Sequence, residues 1–102
     1  MLEVEWDEGK RQSNLQKHGV DFEDIKAVFE SETTVEWIDN RRDYGEQRVN
    51  LLGDIAGKIF FITYTKRNAK YRLISARRAN SRERRKYYQS LLGGMGTNEG
   101  KN

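Results

Sequence analysis

The sequence predicts an α+β domain with helices segregated onto an antiparallel sheet, in the order β-α-α-β-β-β-β-α. Three observations predict it. Short runs rich in β-branched and aromatic residues fill the middle of the chain, joined by Gly- or Asn-bearing connections that suit successive hairpins. Helical stretches near both ends open on Asp or Asn caps. One alternating segment precedes them all.

That first segment, residues 2–6, sets Leu2, Val4 and Trp6 against Glu3 and Glu5, the period-2 pattern of a half-buried strand. Asp7 then reads as an N-cap with Glu8 in the first helical turn, and the helix runs to His18, where Gly19 supplies the left-handed C′ residue. Leu15 is its only large apolar residue, so the helix is polar nearly all round. Lys10, Asn14 and Lys17/His18 recur on one stripe of it. A second helix starts at Asp21, with Val20 stapled onto Ile25 and an apolar face of Phe22, Ile25, Val28 and Phe29 that reads as core. Residues 33–38 form a strand, and Asn40-Arg41-Arg42-Asp43-Tyr44-Gly45 a charged loop. Strands follow at about 46–52, 58–66 and 70–78, connected by Gly53-Asp54-Ile55-Ala56-Gly57 and by Asn68-Ala69. The last helix begins near Asn80, where Asn80 and Glu83 make a variant capping box, and runs through Tyr87-Tyr88 to about Leu92. Residues 1–92 are thus expected to be a single domain, and the Gly-rich tail 93–102 disordered.

Composition narrows the chemistry. A chain of 102 residues makes one domain. No cysteine and one histidine remove disulfide frameworks, thiol nucleophiles and His-rich zinc sites, so neither a cofactor nor a metal is expected. The longest apolar run, Ile59-Phe60-Phe61-Ile62, is too short for a membrane span. Met1-Leu2-Glu3-Val4-Glu5 carries no signal-peptide pattern, so the expectation is a soluble, cytoplasmic protein with no membrane partner. Charge is unevenly spread. Residues 1–57 hold 14 Asp/Glu and 7 Lys/Arg, whereas residues 58–102 hold 12 Lys/Arg and 2 Asp/Glu. Ten basic residues and one acid, Glu83, fall within residues 66–86. Such asymmetry points to a polyanion, most often nucleic acid, and its bland alternative is a solvated basic face.

The densest constellation is the last hairpin plus the start of the last helix. Strict alternation puts Tyr71, Leu73, Ser75 and Arg77 on one face and Arg72, Ile74, Ala76 and Arg78 on the other. Arginine forks bind phosphate bidentately and tyrosines stack on splayed bases. Arg82, Arg84, Arg85 and Lys86 add charge at the helix start. His18 is either a dipole-favoured residue of the last helical turn or, with Lys17, a proton-transfer group. Glu83 reads as a capping carboxylate. Phosphate loops, H-E-x-x-H and nucleophile elbows are missing. Cleavage by this chain would best use the 2′-hydroxyl of RNA, with a base, an acid and cations around the phosphorane.

Several stretches resemble the BrnT toxin family. They are Trp6-Asp7, Lys10, Asn14, Lys17-His18-Gly19-Val20 and Phe22-Glu23, then Gly45-Glu46-Gln47-Arg48, then Tyr64-Thr65-Lys66-Arg67 and Arg72 to Ala79, ending in Glu83-Arg84 and Tyr88. The resemblance covers about residues 4–88 and implies a RelE-like fold and a type II toxin that cleaves RNA and arrests translation. It also implies a ribbon-helix-helix antitoxin (BrnA-like) that forms a DNA-binding complex with the toxin. The arginine concentration, the single histidine and the lack of metal ligands make His18 (or else Lys17 in its place), Arg67, Arg72 and Arg77 the expected catalytic residues. Lys17, Tyr64, Arg78, Arg82 and Tyr88 are expected to bind RNA. The rival readings are a nucleic-acid-binding module acting by occupancy, and an interaction protein whose basic face meets an acidic partner.

Overall fold

The computed structural model describes residues 3–96, with side chains as far as Leu92. Strand β1 (Val4–Trp6) leads into α1 (Glu8–His18) and α2 (Phe22–Ile25), which continues as a 3-10 helix over Lys26–Glu30. Strands β2 (Thr34–Ile38), β3 (Val49–Ile55), β4 (Lys58–Arg67) and β5 (Lys70–Arg78) follow, then α3 (Ser81–Gly96).

The five strands form one sheet in the order β1-β5-β4-β3-β2. Strands β2 to β5 are an antiparallel meander. The expectation of a purely antiparallel sheet fails at one edge: β1 lies parallel to β5, with Val4 opposite Tyr71 and Trp6 opposite Leu73. Parallel pairing needs a long crossover, and here nearly the whole domain lies between the two strands. Strand β3 begins three residues later than expected and absorbs Gly53, Asp54 and Ile55. The connection shrinks to Ala56-Gly57, both at positive φ (54° and 83°), with the Gly57 N–H donating to Asp54 Oδ1 at 2.8 Å. Asn68-Ala69 turns the next hairpin with φ of 54° and 68°. Two consecutive positive φ values make type I′ turns, whose twist matches the strands they join.

The helix caps follow the sequence. Asp7 accepts from the Lys10 N–H, Asp21 from the Glu23 N–H, and Gly19 closes α1 at φ 70°. Phe22, Ile25 and Val28 are spaced three apart and buried. That interval suits the tight 3-10 continuation of α2 better than a 3.6-residue turn. Asn80 and Glu83 exchange hydrogen bonds as a capping box, Glu83 N–H to Asn80 Oδ1 at 2.8 Å and Asn80 N–H to Glu83 Oε1 at 2.9 Å. The α3 backbone runs to Gly96, four residues past the expected end at Leu92. The remainder of the Gly-rich tail, like Leu2 of the first alternating segment, lies outside the described residues.

Each face of the sheet has its own core. On one side α1, α2 and the 3-10 helix cover Leu51, Ile62, Tyr64, Leu73 and Ala76, packed with Phe22, Ile25 and Val28. On the other, Tyr87 of α3 meets Leu52, Ile59 and Ala79, with Trp37, Phe61 and Leu91 alongside. Helix α3 covers only part of its face, because its contacts fall on β2 and β3. The rest of that face is built from polar side chains.

Candidate functional site

The site begins with an irregularity in β5. Thr63 pairs with Ser75 and Tyr64 with Leu73, which leaves Ile74 as an extra, unmatched residue. This bulge reverses the alternation beyond it. Tyr71, Leu73, Ala76 and Arg78 therefore share the α1/α2 side, while Arg72, Ser75 and Arg77 share the α3 side. Strict alternation had divided the strand differently, and no residue type in Leu73-Ile74-Ser75 announces a bulge.

Register then places the α3 side in three rows. Val35, Leu52, Phe61 and Arg77 form an apolar row closed by an arginine. Trp37, Asn50, Thr63 and Ser75 form the next. Asp39, Arg48, Thr65 and Arg72 continue the ladder, with the Asp39 N–H donating to Arg48 O and Glu5 of β1 beside Arg72. Asn50 and Thr63 are buried, and the Thr63 hydroxyl donates to Asn50 Oδ1 at 2.8 Å. Asp39, also buried, accepts from Arg41 Nε and Nη2 at 2.8 Å each and from the Tyr44 hydroxyl at 3.2 Å. The Arg41 guanidinium holds its carboxyl well below the usual carboxylate range. Arg48 lies over the Tyr44 ring, 4.1 Å from its centroid. Lys86 reaches from α3 to 3.6 Å above Trp37, and Arg82, one turn earlier, shares that flank of the helix.

At the open end of these rows α1 meets the bulge. Asn14 locks the contact: its amide donates to Ala76 O at 2.8 Å and Val20 O at 3.0 Å, and its oxygen accepts from Ala76 N–H at 3.0 Å. Strand β1 ends opposite Leu73, so Asn14 satisfies the edge of β5 where no strand remains to pair with it. The polar stripe of α1 is thereby pressed against β5. Lys10, Lys17 and His18 open with Ser75 and Ile74 into one cleft of about 140 Å³.

The four expected catalytic residues do not all converge. His18 lies in this cleft, and Arg77 is two residues beyond Ser75 on the same side of the sheet. Arg72 is on that side too, held by Glu5 at 3.1 Å. Arg67 sits at the far hairpin, paired with Glu46 at 3.1 Å. It is six residues along β4 from the partner of Arg77, roughly 20 Å at strand spacing. One phosphate cannot span that distance. Arg77 is itself engaged, donating to Glu83 at 2.9 and 2.8 Å and lying 4.5 Å from the Phe61 ring. This pairing holds the Glu83 carboxyl below its ordinary pKa. The arginines expected as a bare cationic clamp are thus each matched by a carboxylate.

Among the expected RNA contacts, Lys17 lines the cleft and Arg82 is exposed on α3, one turn before Lys86. Tyr64 is corrected: it is 5% exposed, packed edge-on against Phe29 and Tyr71, and its hydroxyl donates to Glu36 at 3.0 Å. Even alternation in β4 turns it to the α1/α2 core, where no base could stack on it. Burial pushes its hydroxyl pKa up. Arg78 lies on that same side, 5.8 Å from the Phe60 ring. Tyr88 is half exposed on α3. Lys10, Ser75, Arg48, Asn50, Thr63 and Trp37 were not singled out as site residues. For Arg48, Asn50 and Thr63 the signal was polar residues at alternate positions in and beside β3 and β4, legible only once register is known.

A family model described as the ribonuclease toxin BrnT of type II toxin–antitoxin systems matches residues 6–83. The chain belongs to the BrnT family. No curated protein matches it significantly. Membership makes it, at family level, a ribonuclease toxin whose system includes an antitoxin partner. The matched span begins at the last residue of β1 and ends in the capping box, so it takes in the α1 cleft, the polar rows and the bulge. Within this BrnT chain the Lys10–Asn14–His18 stripe divides into two duties, with Asn14 bracing the sheet and Lys10 and His18 lining the cleft. Among the described residues no three His, Cys, Asp or Glu side chains are grouped as a metal site, and no helix is long and apolar enough to cross a membrane.

Proposed function

We propose that this BrnT-family protein is a metal-independent endoribonuclease with a RelE-like fold that arrests translation in the cytoplasm. The observation that carries the reading is the α1–β5 cleft, where Lys10, Lys17 and His18 surround Ser75 beside the polar face that ends in Arg77. RNA supplies its own nucleophile. His18 takes the proton of the 2′-hydroxyl as its oxygen attacks phosphorus, and the P–O5′ bond breaks. The leaving 5′-oxygen is protonated by Lys17, so the products are a 2′,3′-cyclic phosphate and a 5′-hydroxyl. Arg77 stabilises the phosphorane charge once RNA draws it from Glu83. Lys10, Arg82 and Arg72 hold neighbouring phosphates. The antitoxin is a ribbon-helix-helix (BrnA-like) protein whose complex with this chain binds DNA.

The test is inducible expression in bacteria with and without His18→Gln, followed by growth and RNA integrity, then cleavage by purified protein in EDTA. Growth arrest with RNA fragments ending in cyclic phosphate, unaffected by EDTA and lost in the variant, is the expected result. RNA that is bound in a salt-dependent way but stays intact would replace catalysis by occupancy.

A further inference from the structure

One polar atom on the floor of the α3 side lacks the partner that burial demands, and an amide beside it has donors to spare. Asn50 is only 3% exposed, and its amide oxygen accepts from Thr63. Its amide nitrogen has no hydrogen-bond partner among the described residues. Two residues earlier on the same strand face, Arg48 Nε is buried and also without a hydrogen bond. The nearest carboxylate oxygen, Glu46 Oε2, is 3.5 Å away, which is too long to satisfy it. Buried polar groups are paired in more than about nine cases in ten. A buried orphan donor beside an amide nitrogen that no protein group engages calls for something that brings acceptors.

The chemistry of that acceptor follows from the charges. Arg48 shares the one Glu46 carboxylate with Arg67 and leans on the Tyr44 ring. Its neighbour Asn50 offers neutral amide donors, which carry no charge to attract an anion. A phosphate would find better company at Lys10, Lys17 and Arg82. A neutral acceptor such as a base carbonyl or ring nitrogen fits the amide, and single-stranded RNA displays such edges to Asn side chains. Trp37 stands directly across from Asn50, edge-on to Phe61, with the flexible Lys86 side chain over its ring.

We propose that Asn50 and Arg48 form a base-reading subsite for the RNA substrate, with Thr63 orienting the Asn50 amide and Trp37 flanking the base. The inference rests on the ribonuclease reading above. Asn50 and Ser75 are in one row, two strands apart, about 10 Å. The base that is read therefore belongs beside the cleaved linkage and sets where the enzyme cuts.

Sequencing the 5′ ends of a mixed-sequence RNA after partial digestion measures this, using wild type, Asn50→Asp, Asn50→Ser and Thr63→Val, each checked by thermal melting. Wild type should show a base preference at one position relative to the cut. Asn50→Asp, which exchanges donors for acceptors, should lower cleavage at the favoured base relative to others by roughly 10- to 100-fold. Thr63→Val should relax the preference without abolishing cleavage, an effect that a merely structural role would not produce. If Asn50→Asp fails to fold, Asn50→Ser and Thr63→Val decide. Folded variants that cut the same sites at the same relative rates would overturn the subsite, as would a wild type with no base preference. A wild type that cuts no RNA would sink the ribonuclease reading first, and the subsite with it.

Discussion

Replacing Asn14 by alanine should cost the fold about 3 kcal/mol, although the residue sits on a helix that is otherwise polar and exposed. Its side chain makes three buried hydrogen bonds of 2.8–3.0 Å, two with Ala76 and one with Val20. A typical net value of about 1 kcal/mol per bond gives about 3 kcal/mol in all, and orphaning the Ala76 N–H in a buried place pushes the cost higher. Domains of this size have only about 5–15 kcal/mol to lose. A drop of about 3 kcal/mol should lower Tm by about 12–24 °C. Urea denaturation followed by circular dichroism measures it, with Lys17→Ala on the same helix as a control that should move by less than about 0.5 kcal/mol. Asn14→Asp is the sharper variant. It keeps an acceptor for Ala76 N–H but sets a carboxylate against two carbonyls, so it should be at least as damaging as alanine. An Asn14→Ala protein within about 0.5 kcal/mol of wild type would refute the edge-lock reasoning and return Asn14 to the functional stripe.

Three further outcomes follow from the backbone and the charges. Ala69 holds a φ of 68° in the β4–β5 turn, so Ala69→Gly should raise stability by about 0.5–1 kcal/mol, the αL penalty of a side chain exceeding the entropy of glycine; a lower urea midpoint would contradict it. Gly53→Ala would put a Cβ 2.4 Å from Val28 Cγ2 and should cost about 1–3 kcal/mol. Val28→Ala in the same chain should return part of that cost, and strict additivity of the two losses would show that the clash is not the cause. The carboxyls of Asp39 and Glu83 have folded pKa values below their ordinary 3.8 and 4.5. Their stabilisation is therefore complete above about pH 4.5 and is lost as pH falls through the acid range. Asp39→Asn should flatten that part of a stability–pH curve, and an unchanged acid limb would remove Asp39 from it.

Local signals were readable in the sequence where one interaction decides the outcome. Asp7, Asp21 and the Asn80–Glu83 pair cap their helices because the bonds involved span two or three residues. The long-range features were not readable. The parallel pairing of β1 joins residues 67 apart, and no pattern in either strand names the other. The bulge at Ile74 lies where β5 serves β4 on one edge and the Asn14 amide on the other. Its effect reached the site directly, moving Ser75 and Arg77 onto the side of Arg72 and away from Tyr71 and Leu73. Tyr64 was misplaced for a related reason: a tyrosine in a basic strand reads as exposed until its neighbours Phe29 and Tyr71 are known. Arg48 stood in a quoted motif, yet its orphaned Nε is a property of packing alone.

Arg77 shows why the charge pattern needs a sharper test than alanine alone. In the sequence it is one arginine among ten basic residues; in the structure it is also the partner of the carboxylate that caps α3. Arg77→Ala would therefore weaken the helix start and the chemistry together. Glu83→Gln separates them. Gln at this capping-box position still accepts from Asn80 N–H, and the change leaves Arg77 without its counter-ion. If Arg77 serves only the cap, the two variants should lose similar stability and cleavage should track the folded fraction. If it meets the transition state, Arg77→Ala should lower kcat by about 10²- to 10³-fold in folded protein, while Glu83→Gln leaves kcat equal or higher. Arg77→Lys should recover the charge but not the bidentate fork. Full kcat in both variants after correction for folding would assign Arg77 to the architecture and leave the cleavage chemistry to the α1 cleft.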